Sequence, residues 1–100
     1  MKTYVAFISN GVVMESNNFK SLFRNVRFAI RMDEEENTAV FFTSEDSKNP
    51  IAGYHYYPLI STEFFCHGYR VKQPHVKLIF RETFMQNEYG VSLWQHMGLD

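Results

Sequence analysis

The spacing of apolar and polar positions divides the chain into β-like runs around one strongly periodic helical segment. Tyr4–Ser9 is a run of β-favouring residues, Asn10-Gly11 follows it, and Val12–Glu15 resumes the β pattern. Asn-Gly suits a two-residue type I′ turn, in which both central residues take positive φ, so a β-hairpin is expected at the start. Ser16, Asn17 and Asn18 then supply side chains able to cap a helix N-terminus. In Phe19–Met32 the apolar residues Phe19, Leu22, Phe23, Val26, Ala29 and Ile30 recur with helical periodicity. They fill an arc of roughly 120°, the width of a core-facing stripe. Asp33-Glu34-Glu35-Glu36-Asn37 opposes the helix macrodipole and is expected to end the helix in a loop.

Beyond that loop, Thr38–Thr43 and Ile51–Tyr57 read as two strands joined through the turn residues Ser44–Pro50. Glu63–Val71 is a β-like run interrupted by Gly68, Lys72-Gln73-Pro74 is a turn, and His75–Phe84 reads as a further strand. Asn87 is placed to cap a short helix over Glu88–Met97, with Gly98 as its stop and Gly90 weakening it. The expected fold class is therefore α+β, a mainly antiparallel sheet with one long amphipathic helix packed on one face. The element order is β-β-α-β-β-β-β, closed by the short C-terminal helix if Gly90 is tolerated.

Composition bounds this picture. One hundred residues, 45% of them apolar and 17% aromatic, suit a single domain with one core, taken as residues 1–100. Lys and Arg number 10 against 11 Asp and Glu, so electrostatic recognition has to come from the placement of charge rather than its total. The single cysteine, Cys66, leaves no internal disulfide and suits a reducing compartment. No apolar run approaches the ~20 residues of a membrane span, and the N-terminus lacks a signal-peptide pattern. A cytoplasmic protein with no membrane partner is the expectation.

The candidate chemistry is a cationic stripe. Lys20, Arg24, Arg27 and Arg31 recur at intervals of four, three and four, and no acid interrupts Phe19–Met32. At a helical turn of about 100° per residue, these four side chains fall within roughly 60° of one another. Phe28 and Met32 lie beside the stripe and outside the core arc. Arginine next to an exposed aromatic is the composition of a protein interface. The leading expectation is a small protein-binding module of inhibitor or adaptor type, contacting its partner through Lys20, Arg24, Arg27, Phe28 and Arg31. The alternative is nucleic-acid binding by the same ridge together with a second basic cluster on the 70–81 strand, Arg70, Lys72, Lys77 and Arg81. Against both stands a solvated helix face whose arginines pair with the chain's own Glu34, Glu35, Glu36, Glu45 or Asp46.

The remaining candidates weigh less. Tyr54-His55-Tyr56-Tyr57 can stack on bases if exposed or pack as ordinary strand residues if buried. His55, His67, His75, His96 and Cys66 show none of the paired spacings of a zinc site. Cys66 has no local base to make it a nucleophile. No metal, cofactor or catalytic residue is expected, and the chain reads as a non-enzyme. The edges of the hairpins leave homodimerisation open.

Overall fold

The first hairpin forms, but its turn is one residue longer than expected. A computed structural model describes residues 2–99. In it β1 (Tyr4–Ile8) pairs antiparallel with β2 (Val13–Ser16). The connection is closed by Ile8 N–H to the Val12 carbonyl (2.9 Å) and Gly11 N–H to the Ile8 carbonyl (2.9 Å). Gly11 takes φ +103°, whereas Asn10 is not among the residues with positive φ. A type I′ turn needs positive φ at both, so this is a three-residue loop with glycine in the bulge position. Asn10 serves through its side chain instead, whose Oδ1 accepts the Val12 N–H at 3.0 Å.

Helix α1 (Phe19–Asp33) follows, 15 residues long. Asn18 is its N-cap, accepting the Ser21 N–H at 3.0 Å, and Glu34 ends it in the left-handed region. Three further strands complete an antiparallel sheet, β3 (Asn37–Thr43), β4 (Ala52–Tyr57) and β5 (Thr62–His67), in the order β2-β1-β3-β4-β5. A single 3-10 turn, Pro58–Ile60, joins β4 to β5.

One expected strand is a helix. Glu63–Val71 divides into β5 and the single-turn helix α2 (Gly68–Val71), and His75–Phe84 belongs to helix α3 (Pro74–Phe84). The fold class stands, but the fourth strand after α1 in the expected order does not exist. Two physical signals favour the helix. Pro74 occupies the first helical turn, where its missing N–H costs nothing. The buried residues Val76, Phe80, Thr83 and Phe84 are spaced four, three and one apart, which is one face of a helix. Helix α4 (Glu88–His96) forms where expected, capped by Asn87 accepting the Gly90 N–H at 2.7 Å.

The sheet is covered on both faces. On one, Leu22, Val26 and Ile30 of α1 pack against Ala6, Ile8, Ala39, Phe41, Ala52 and Tyr54. Three of these sheet residues are alanines, which lets the helix approach closely. Phe23 lies edge-on to Phe65 of β5 at 4.9 Å between ring centres. On the other, Val5, Val40, Phe42 and Cys66 are covered by side chains of α2, α3 and α4, with Phe80, Phe84 and Trp94 fully buried. The expectation of one helix on one face therefore captured one of two helical layers. Burial on both faces explains why β3 and β4 read as nearly continuous apolar runs.

Candidate functional site

Helix α1 presents its cationic stripe in two unlike halves. Lys20 and Arg24, on its first turns, are exposed and make no ion pair among the described residues. Arg27 and Arg31, one and two turns further on, lean over the sheet toward β5. Arg27 Nε–H donates to Glu63 Oε2 at 2.7 Å, and Arg31 Nη1 lies 3.6 Å from the same oxygen. Tyr54 donates its hydroxyl proton to that carboxylate at 2.8 Å, and the Arg31 guanidinium sits 5.0 Å from the centre of the Tyr56 ring.

These contacts set the protonation of the group. The hydrogen bond from Arg27 holds the Glu63 carboxyl below the usual carboxylate range, and the same bond raises Arg27. Burial, then the bond to Glu63, pushes the Tyr54 hydroxyl well up. The stripe is thus partly occupied by the protein's own acid, but that acid is Glu63. Glu34, Glu35 and Glu36, the partners considered in the sequence, make no ion pair with the stripe among the described residues.

Phe28 and Met32 stand one turn apart on the outer surface of α1, 68% and 67% exposed. Near the C-terminal end of α1, the acidic loop and the β4–β5 connection enclose a cleft of about 260 Å³ lined by Glu34, Glu35, Glu36, Tyr57, Pro58 and Leu59. Leu59 is fully exposed beside it.

The second basic cluster does not join the first. Arg70 belongs to α2, Lys72 follows it, and Lys77 and Arg81 lie on α3, so the cluster is helical and on the face of the sheet opposite α1. Lys72 Nζ donates to Asn49 Oδ1 at 2.7 Å, and Arg70 Nε–H donates to the Tyr69 hydroxyl at 3.2 Å. A sheet separates the two groups of cations, so they form no continuous track for a nucleic-acid backbone. Nor is the aromatic run a stacking platform. Tyr54, His55 and Tyr56 are buried and Tyr57 is half-buried.

The structure contains one arrangement that spacing did not reveal. His55, fully buried, joins Glu36 to Thr38 across β3 and β4. Its Nε2 lies 2.8 Å from Glu36 Oε1, an acceptor, so Nε2 carries the proton and donates it there. Nδ1 then accepts from the Thr38 hydroxyl, with Thr83 Oγ1 of α3 3.4 Å away. Burial is the main cause lowering the His55 pKa, against which Glu36 acts to raise it. Carboxylate, imidazole and hydroxyl stand in the order of a hydrolase triad. Thr38 is fully buried, however, and Thr83 almost so, which denies either hydroxyl to a substrate. Glu36 falls in the segment read as a polar loop, and its partner lies 19 residues on.

Cys66 is buried, and burial pushes its thiol up to about 11, the reverse of an activated nucleophile. No group of three His, Cys, Asp or Glu residues able to hold a metal ion occurs among the described residues. No helix among them is long and apolar enough to cross a membrane. Comparison of the chain with protein-family models, with curated proteins and with solved structures finds no match.

Proposed function

We propose that the chain is a small, non-enzymatic, cytoplasmic protein-binding module of inhibitor or adaptor type, docking on an acidic partner protein through the outer face of α1. The observation that supports this reading is the exposure of Phe28 beside Lys20 and Arg24 on a helix whose other side is anchored in the core. An exposed aromatic next to cations that make no ion pair among the described residues is the composition of a binding hot spot and its charged rim. Arg27 and Arg31 contribute differently from the other two. Glu63 and Tyr56 fix their position, so a partner carboxylate meets guanidinium groups already ordered, at less entropic cost than a free side chain.

Replacing Phe28 with a photoreactive phenylalanine analogue tests the reading in cells of the source. The expected result is one dominant protein adduct, whose purified component binds the unmodified chain. The Lys20→Glu/Arg24→Glu variant should then bind that component at least about tenfold more weakly, mainly through slower association. Unchanged affinity in the charge-reversed variant, with circular dichroism showing an intact fold, would remove α1 as the interface. Tight RNA or DNA binding that weakens steeply with salt would favour the nucleic-acid alternative instead.

A further inference from the structure

β5 is an edge strand of the sheet, with β4 as its one neighbour. The hydrogen-bond alternation can be followed across the whole sheet. Ser9 N–H donates to the Thr38 carbonyl at 2.8 Å and Ser44 N–H to the Thr3 carbonyl at 3.0 Å, so the even-numbered residues of β3 bond toward β1 and the odd-numbered ones toward β4. The register of β3 with β4 then turns Ala52, Tyr54 and Tyr56 toward β3, leaving Gly53, His55 and Tyr57 for β5. Their partners on β5 are Cys66, Phe64 and Thr62. The backbone N–H groups of Glu63, Phe65 and His67 and the C=O groups of Glu63 and Phe65 therefore point away from the sheet, with no strand beyond β5 to pair with them, while the His67 carbonyl, at the N-cap of α2, accepts that helix's first N–H.

Edge strands normally carry a protective device such as proline, a charged side chain, a bulge or extreme shortness. β5 is six residues of Thr-Glu-Phe-Phe-Cys-His, without proline or lysine, and its one carboxylate, Glu63, is neutralised by Arg27 of α1. The other edge, β2, is four residues long, and the same alternation turns only Val13 and Glu15 outward.

We infer that β5 pairs antiparallel with β5 of a second copy, about a two-fold axis through Phe65, giving a continuous ten-stranded sheet. The strand is self-complementary in that register. All three outward residues are used, with Phe65 opposite Phe65 of the second copy and Glu63 opposite its His67. Glu63, Phe65 and His67 project from the α1 face, as the contacts of Glu63 with Arg27 and of Phe65 with Phe23 show. The Glu63–His67 pair and the aromatic pair thus lie on one side, where directly opposed residues interact. Exposed apolar residues flank the strand at each end, Leu59 and Ile60 before it and Tyr69 after it. Antiparallel pairing brings the start of one β5 to the end of the other, so these groups meet. A two-fold contact of this kind closes at the dimer, because it consumes the same edge in both copies.

Sedimentation velocity over a concentration series, joined to amide hydrogen exchange, tests the pairing. The unmodified chain should show a monomer–dimer equilibrium reaching dimer in the high-micromolar range. The amides of Glu63, Phe65 and His67 should gain protection with concentration, while those of Thr62, Phe64 and Cys66 stay protected throughout. His67 has φ −88°, about 20° from the proline value, and its N–H points outward, so His67→Pro removes a dimer donor without removing a bond within the monomer. Dimerisation should weaken at least tenfold in His67→Pro and only a few-fold in His67→Ala. A monomer across the whole series, growth beyond dimer, equal dimerisation by the two variants, or concentration-independent exchange at residues 63, 65 and 67 would each overturn the pairing.

Discussion

His55 is held neutral at the centre of the molecule, and this sets one pH dependence. Its folded-state pKa is lowered below the ordinary 6.5 by burial. The unfolded chain therefore takes up a proton first as pH falls. The stability that neutral His55 contributes is complete above 6.5 and is lost as pH drops beneath it. Glu63, also lowered, contributes stability above the usual carboxylate value of 4.5 that is lost only as pH falls below that point. Denaturant melts should thus show a first decline starting near 6.5, absent in His55→Gln, and a second at lower pH, absent in Glu63→Gln. At the same scale, exposure separates ionic from apolar contributions. Arg27 and Glu63 are each more than a third exposed, so Arg27→Ala should cost less than about 1 kcal/mol. Trp94 is fully buried, and Trp94→Ala should cost about 3–5 kcal/mol. Equilibrium urea unfolding of the two variants checks the contrast.

Elements were legible in the sequence wherever one local rule dominated. Helix α1 was readable because its cap and its apolar period agree, and its observed start matches. Helix α3 was not, because His75–Phe84 satisfies two periods at once. His75, Lys77 and Arg81 alternate with Val76, Leu78 and Phe80 as in a strand, while Val76, Phe80, Thr83 and Phe84 also fit a helix. Pro74 is the deciding local signal, and Lys72-Gln73-Pro74 fits a turn as well as a helix start. Gly90 makes a complementary case. On propensity it weakens α4, so alanine there should help by about 1 kcal/mol. A Cβ at Gly90 would stand 2.1 Å from the Phe84 carbonyl oxygen, because α4 crosses the end of α3 at backbone contact. Gly90→Ala should therefore destabilise by about 1–3 kcal/mol or more, as overpacking does, and lower the melting temperature.

At the scale of the whole molecule, the cationic stripe was legible and its partners were not. Glu63 is 36 residues from Arg27, and only the sheet order that places β5 beside the C-terminal half of α1 brings them together. The separation of the two basic clusters was equally hidden. It follows from the second helical layer, which the strand reading of His75–Phe84 removed from view. If the α1 face and the β5 edge act as proposed, the molecule has two binding surfaces on different elements. Dimerisation would then present two α1 faces to partners together, and avidity would follow from geometry rather than from new contacts.

The second helical layer is contiguous in the chain, since everything that covers that face of the sheet lies after His67. A ribosome therefore delivers the sheet and α1 before any of its cover. Until the last third is translated, Val5, Val40 and Phe42 form an apolar plane open to water and to other nascent chains. Domain folding during synthesis leaves such intermediates prone to aggregation. Slow translation past residue 67 would prolong that exposure, so the demand for chaperones should fall on the nascent chain and end when α3 and α4 close over the sheet.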